Sequence, residues 1–369
     1  MRLLAVHPGA ELYGSDRSFG QAVGALDAAG HQVTVALPHA GPILSLPAFD
    51  RVLARCDAIW VPRRGMMTLR FLRQGMRRVV AAWRAMAAQD AAYIDTIVAM
   101  DYLIASVAPP RPCAVHVREI PTGMEMAVFR WLLIASRAEL VFNSVATRDA
   151  FRLPRWRLRH ARVVHNGVAL PPVAARAGYD GVRPLRVLMI GRLNGWKGQE
   201  VLVAALAGMP AEERARIAVR IVGGVFGDND HFRASVAAAV AAAGLQGVVA
   251  MEPFTDTPDA AYDWADVVVV PSVKPEPFGR VAIEAMAHGC AVVASAHGGL
   301  TEIVADGATG RLVPPGDAGA LAAALLDYAT LPGAVARHGA AGRARFRTLF
   351  TAELADRGIV GVFGEMRAA

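Results

Sequence analysis

Glu276-Pro-Phe-Gly-Arg-Val-Ala-Ile-Glu284-Ala-Met-Ala-His-Gly289 sets two carboxylates around a Pro-Phe-Gly turn that opens an apolar helix. Pro277 presets a helical φ near the helix start, Gly279 lets a ligand touch the backbone, and Gly289 supplies a left-handed stop. The first N–H groups of a helix lack intrahelical partners, so a phosphate can sit on them. At about 1.5 Å per residue the carboxylates stand up to roughly 12 Å apart, the reach from a hexose hydroxyl across a diphosphate to a ribose. Each can accept two hydroxyl donors, which suits a nucleotide sugar held at both ends. A capped surface helix with two solvated Glu explains the same letters.

A second segment narrows the choice. Leu185 to Ile190 reads as a strand, Gly191-Arg192-Leu-Asn-Gly-Trp-Lys197-Gly198 as a basic loop, and Gln199 to Ala207 as a helix. The chain has only two lysines, Lys197 and Lys274, beside 37 arginines, and both lysines fall in these two loops. A compact ammonium kept where every other cation is Arg suggests a steric need at an anionic ligand, with chance placement as the alternative. Arg192 and Lys197 can neutralise charge building on a departing diphosphate.

Gly191-Arg-Leu with Lys197-Gly198, Pro271-Ser272, Glu276 with Glu284, and Gly298-Gly299-Leu-Thr-Glu302 followed by Gly310-Arg-Leu-Val-Pro-Pro-Gly316 resemble the retaining glycosyltransferases of family 4 (glycosyl transferases group 1). The likeness covers nearly the whole C-terminal half. It is looser in the N-terminal half, at Glu11-Leu-Tyr-Gly14-Ser-Asp16-Arg17-Ser and His116-Val-Arg-Glu119-Ile. The resemblance implies an α/β GT-B fold, two facing Rossmann-like domains with parallel sheets and a central cleft for the donor, and no obligatory metal or other cofactor. It assigns residues 1–170 to an acceptor-binding domain, 171–349 to a nucleotide-sugar-binding domain, and 350–369 to a helix crossing back to the first. It implies that Glu276 holds hexose hydroxyls, Arg192 and Lys197 the diphosphate, and Glu284 the ribose. Phe278 and Gly279 would offer backbone N–H groups, and Pro253 and Phe254 lie where the family places the base.

Length and composition agree with two domains. A chain of 369 residues exceeds what one core usually serves. The 54% hydrophobic fraction is rich in Ala and holds no run of 18 clean apolar residues. Met1 to Val6 reads as a first strand rather than a signal peptide, and Cys56, Cys113 and Cys290 lack metal-ligand spacing, so a reduced cytoplasmic protein is expected. Strands are expected at Leu3 to His7, Val33 to Leu37, Asp57 to Pro62, Ile97 to Met100, Cys113 to Val117 and Glu139 to Phe142. The second half repeats the pattern at Val187 to Ile190, Val219 to Val222, Val248 to Met251, Val267 to Val270 and Ala291 to Ala294. The linker is expected within Pro171 to Pro184, and a last helix from Phe350 to Met366.

Net charge is +7, and residues 1 to 170 carry 21 Arg against 12 acidic residues. Seven Arg between Arg63 and Arg84 interleave with Met, Leu, Phe, Val and Trp83, the composition of an interfacial helix that could meet anionic lipid at the inner face of the cell membrane. An amphipathic helix covering the sheet fits equally, and no nucleic-acid motif accompanies the charge. Asp228-Asn229-Asp230 spells a metal-binding DxD but reads as a turn. His116 is a donor-sugar contact or a core imidazole. Gly14, Ser15 and Asp16 touch diphosphate or acceptor, or Asp16 only caps a helix; the family's Gly-Gly-x-Glu is replaced here by Gly-Ser-Asp. Arg118 and Glu119 are further acceptor-side candidates, Glu302 is a second acidic position or a helix-start charge, and Ser144 reads as a helix cap. The reading is a retaining, metal-independent hexosyltransferase using a UDP- or GDP-sugar on a glycan or lipid-linked acceptor, as in polysaccharide or glycoconjugate synthesis. A GT-B sugar-nucleotide epimerase and a non-catalytic nucleotide-sugar-binding subunit are the alternatives.

Overall fold

The computed structural model describes residues 1–56, 59, 69–171, 178–224 and 230–368. It divides into two units, Met1–Gly167 together with Ala352–Ala369, and Val168–Thr351. The first unit is built on seven parallel strands: β1 (Arg2–Val6), β2 (Gln32–Leu37), β3 (Leu53–Cys56), β4 (Ala91–Asp95), β5 (Cys113–Val117), β6 (Glu139–Phe142) and β7 (Ala161–Val163). Their order is β3-β2-β1-β4-β5-β6-β7. β4 and β5 are buried at every position, as a parallel sheet covered on both faces requires. The helix Ala352–Ala368 packs on the helix Gly14–Ala28, with Gln21 Nε2 donating to Asp356 Oδ1 at 2.9 Å. Phe363 meets Tyr93 edge-on at 6.1 Å, so the end of the chain completes the core of the unit that the start of the chain began.

The second unit carries β8 (Leu185–Ile190), β9 (Ile217–Val222), β10 (Val249–Glu252), β11 (Val267–Val270), β12 (Ala291–Ser295) and β13 (Gly310–Val313), all parallel in the order β10-β9-β8-β11-β12-β13. In both sheets the chain starts at an inner strand, winds outward to one edge, and then continues on the other side of that strand. The crossing creates a switch point between β1 and β4 and another between β8 and β11. At such points, loops after neighbouring strands diverge and leave room for a ligand beyond the strand ends.

Three expectations need correction. The fourth strand is Ala91–Asp95 rather than Ile97 to Met100. Alanine is a weak strand signal, so Ala91-Ala92 was outweighed by Ile97-Val98. The strand stops because Thr96 takes φ 75°, costly for a β-branched residue, and the apolar run after it feeds the helix Met100–Ala105. β3 lies at Leu53–Cys56, ahead of the expected Asp57 to Pro62, of which 57, 58 and 60 to 62 lie outside the described residues. β13 was not anticipated, since Gly310-Arg-Leu-Val313 is short and begins with glycine; a Cβ there would run into Val292. Of the expected linker, 172–177 lie outside the described residues, as do Asp228 and Asn229.

Candidate functional site

In the second unit the loops after β8 and β11 meet at the switch point. Lys197 Nζ donates to Glu276 Oε1 at 2.6 Å, and the Ser272 hydroxyl donates to the same oxygen at 2.6 Å. Glu276 is 5% exposed and Ser272 fully buried, so the carboxylate is held by a cation and a hydroxyl with little water. Lys197 also lies 4.4 Å from the centre of the Trp196 ring, a cation–π contact that limits its swing. The loop is shaped from within: Asn194 Oδ1 accepts from the N–H groups of Trp196 and Lys197, and Gln199 Nε2 donates to the Arg192 carbonyl. Gly198 at φ 88° lets this loop touch the Pro271 carbonyl, where a side chain would collide. Glycine is thus required for Lys197 to reach Glu276.

The helix expected from Pro277 begins only at Arg280, with Gly279 at φ 111° as its N-cap, and ends at Ala287 before the left-handed Gly289. Glu276 and Pro277 therefore lie in the preceding turn, and helical rise does not set the spacing of the two carboxylates. A non-glycine residue at 279 would strike Leu300 as well as strain the backbone, so the tight turn wins over an earlier helix start. Glu284 lies within the helix and accepts from Tyr262 OH at 2.6 Å and Arg280 Nε at 2.7 Å. Two of its roughly four acceptor positions remain. Pro253 and Phe254 follow β10 and are exposed, Phe254 by 50%. Arg192 and Lys274 are exposed, and Phe278 is buried. Glu302 sits in the short helix Leu300–Ile303, whose carbonyls at Glu302 and Ile303 receive Arg345.

The first unit holds a buried charged network that the sequence only half disclosed. His7, just past β1, has Nδ1 2.8 Å from Asp95 Oδ2 at the end of β4 and Nε2 2.9 Å from Asp16 Oδ1. Asp95 Oδ1 accepts from Arg118 Nε at 2.6 Å and lies 3.1 Å from Tyr93 OH, while Arg118 Nη1 donates to Asn166 Oδ1 at 2.6 Å. Tyr93 OH in turn lies 2.7 Å from His116 Nδ1. His7, Asp16, Asp95, His116 and Arg118 are all 9% exposed or less. Burial opposes a charge on His7, but its bonds and proximity to Asp16 and Asp95 raise its pKa above the usual value. Burial is likewise outweighed at Asp95, where Arg118 and His7 hold the carboxyl well below the usual range. Burial, with Arg118 nearby, pushes His116 well below the usual histidine range and keeps it neutral. Glu119 is pushed up to about 7 by burial and by Asp95, against bonds from Thr96 and from the N–H groups of Arg118 and Ile97.

Asp16 is both a cap and a network member, since its Oδ2 accepts the Tyr13 N–H at 2.9 Å. Each Asp16 oxygen and the Arg118 guanidinium already bond within the unit, and Asp16 keeps about two of its roughly four acceptor positions. Gly14 and Ser15 open the helix Gly14–Ala28, and Ser144 caps the helix Val145–Ala150 by accepting from Thr147 N–H. On the helix Leu69–Ala87, Met76, Val80 and Trp83 are exposed alongside Arg77 and Arg84, whereas Ala82 and Met86 are buried; 63–68 lie outside the described residues. Among the described residues no single helix is long and apolar enough to cross a membrane, and no three His, Cys, Asp or Glu side chains group as a metal site. His7, Tyr93 and Asp95 were missed because each stands alone in sequence. The available signal was a polar residue ending an apolar strand, twice, at the two strands flanking the switch point.

Residues 181–345 match the family described as glycosyl transferases group 1. The chain is 31% identical over 309 residues to the phosphatidyl-myo-inositol mannosyltransferase of Mycolicibacterium smegmatis, an alignment covering 81% of this chain and 76% of that protein. The chain belongs to the group 1 glycosyltransferases. This group 1 glycosyltransferase is also 38% identical over 171 residues to the D-inositol 3-phosphate glycosyltransferase of Thermobispora bispora, covering 42% of the chain but only 39% of that protein's length. Among solved structures it resembles Anabaena HepE in complex with UDP and glucose, with a TM-score of 0.84 at 22% identity over 99% of each chain. Sucrose-phosphate synthase from Thermosynechococcus elongatus gives 0.83 at 24% identity, covering 100% of this chain and 99% of that one. These structures establish the GT-B fold of the chain.

Proposed function

We propose that the protein transfers a hexose from a nucleoside diphosphate sugar to a hydroxyl of a polyol, glycan or lipid-linked acceptor, with retention of anomeric configuration. The observation that carries this reading is the Lys197–Glu276–Ser272 cluster at the switch point of the second sheet. A buried carboxylate with a movable cation is a placeholder: an incoming diphosphate draws the ammonium to itself, and the freed carboxylate accepts sugar hydroxyls. Arg192 and Lys197 then take up the leaving-group charge, so no metal is required. A departing phosphate can accept the acceptor's proton on the same face, which makes a dedicated protein base unnecessary in a retaining transfer. The exposed Phe254 offers a ring to a nucleobase, and the HepE complex with UDP supports a uridine nucleotide. The named relatives act on inositol-containing acceptors, and the mixed basic and apolar face at Met76, Val80 and Trp83 supports a lipid-linked one in the same class.

The test is to incubate UDP- and GDP-hexoses with inositol phosphate or with phosphatidylinositol in anionic vesicles, and to read the product's anomeric coupling by proton NMR. An α-product from an α-donor, formed equally in EDTA, is expected. A β-product, or activity that EDTA abolishes and manganese restores, overturns the mechanism.

The two acidic residues should separate by ligand. Glu284→Ala should weaken free nucleoside diphosphate by about ten- to a hundredfold, one or two charge-assisted bonds, while Glu276→Ala leaves it nearly unchanged and loses sugar turnover. Calorimetry with the unglycosylated nucleotide checks this, and equal losses from both variants would refute the assignment.

A further inference from the structure

We propose that Tyr93 and Asp95 are positioning residues that hold His116 as the Nδ1–H tautomer, leaving Nε2 a bare acceptor for a hydroxyl of the bound substrate. The inference rests on the transfer reading above for the identity of that substrate, but the tautomer itself follows from the first unit alone.

Tyr93 OH has one hydrogen and two groups that could take it, Asp95 Oδ1 at 3.1 Å and His116 Nδ1 at 2.7 Å. Suppose that it donates to His116. The phenol oxygen would then face a carboxylate oxygen with no hydrogen between them, in a site with no exposed surface at Tyr93 or Asp95. Two acceptors in contact and desolvated are unfavourable by roughly the penalty of a buried unmade bond, about 1 to 3 kcal/mol. Suppose instead that it donates to Asp95. The carboxylate then receives hydrogens from Arg118, His7 and Tyr93, and the phenol oxygen accepts from His116 Nδ1–H, with Arg118 Nη2 at 3.5 Å as a weaker second donor. Every group is matched, and the bond to the anion is charge-assisted. The second arrangement wins.

Its consequence falls on the other ring nitrogen. His116 Nε2 is buried and has no hydrogen-bond partner among the described residues. A buried unpaired nitrogen calls for an occupant, an ordered water or a ligand, and one lacking a hydrogen asks for a donor. A sugar or polyol hydroxyl supplies that, whereas a phosphate oxygen or a carbonyl does not. The neutral state of His116, enforced by burial and by Arg118, keeps this lone pair available. Asp95 is in turn fixed by His7, which Asp16 holds from the far side, so the tautomer is anchored to three strand ends.

The experiment is nitrogen NMR of protein labelled with 15N-histidine at pH 7.5, without ligand, with His116 assigned by its loss in His116→Asn. The wild-type Nε2 should resonate as a bare, pyridine-type nitrogen and Nδ1 as a protonated one. In Tyr93→Phe the Nε2 signal should move toward the protonated position, and turnover of the sugar donor should fall about tenfold, with the circular dichroism spectrum unchanged. A protonated Nε2 in the wild type, or a Tyr93→Phe spectrum identical to it, overturns the proposal. The wild-type spectrum needs no variant, so a Tyr93→Phe chain that fails to fold leaves the test intact. Absence of transfer to any acceptor with the expected tautomer present would count against the transfer reading and not against the relay.

Discussion

Lys197→Ala should cut kcat by about a hundred- to a thousandfold while raising KM far less, the signature of a cation that acts on charge developing in the transition state. The structure sharpens the reason. Lys197 Nζ sits 2.6 Å from Glu276 Oε1 with its side chain 24% exposed, so it is paired in the unliganded protein yet within reach of solvent and of an entering anion. Removing it leaves the Glu276 carboxylate with Ser272 as its remaining charge-stabilising contact in this cluster. Full burial would make that loss worth about 3 to 5 kcal/mol, and the partial exposure of the lysine reduces it to roughly 1 or 2. The melting temperature should therefore drop by a few degrees only, too little to explain the rate. Lys197→Arg should not restore full activity, because the longer planar guanidinium stacks on Trp196 and pairs bidentately with Glu276, and so is held there rather than released to an entering diphosphate as a compact ammonium is. Steady-state kinetics decide it: a variant with unchanged kcat and raised KM would reduce Lys197 to a ground-state binding residue.

The two sheets were legible in different degrees. In the second unit, Val267 to Val270 and Ala291 to Ala294 are short β-branched or apolar runs bounded by charge and glycine, and the structure has strands there. Lys197 could be singled out as one of only two lysines and Glu276 as one of two carboxylates around a Pro-Phe-Gly turn, and Gly198 proved to be where their two loops touch, against the Pro271 carbonyl. The pairing of the two residues was not legible. It depends on β8 and β11 being neighbours, and sequence order places two strands between them. The same holds more strongly in the first unit, where His7 and Asp95 are 88 residues apart and meet only because β4 lies beside β1. Reading Asp16 as a cap identified one of its oxygens and not the other. Alanine-rich strands such as Ala91-Ala92 conceal themselves, since their strand propensity is low and only their burial reveals them.

Arg118→Met should destabilise the first unit by about 3 to 5 kcal/mol, a large share of the 5 to 15 kcal/mol that usually holds a domain. The charges explain the size. Asp16 and Asp95 are negative, Arg118 and a protonated His7 positive, so the buried set is neutral as it stands and becomes a net anion when Arg118 is removed. The double variant Arg118→Met with Asp95→Asn should recover part of the loss, with a coupling of roughly 1 to 3 kcal/mol in urea unfolding; strict additivity would show that the two side chains do not share one network. The same balance predicts a pH dependence. The folded pKa of His7 lies above its unfolded value near 6.5, so the stability from the imidazolium is complete below that value and is lost as pH rises through the folded one. Glu119, at about 7 against an ordinary 4.5, acts in the same direction, since its ionisation is disfavoured in the fold and erodes stability as pH rises from about 4.5 through 7. Asp95 acts oppositely, contributing stability that is lost only when pH falls below the carboxylate range. His116, held neutral in the fold by burial and Arg118, opposes His7 and Glu119 below about 6.5, so the share of His7 is read by difference: the drop in urea midpoint caused by His7→Gln should be larger near pH 6 than at pH 8.5. An equal drop at both pH values would mean that His7 carries no charge in the fold at pH 6.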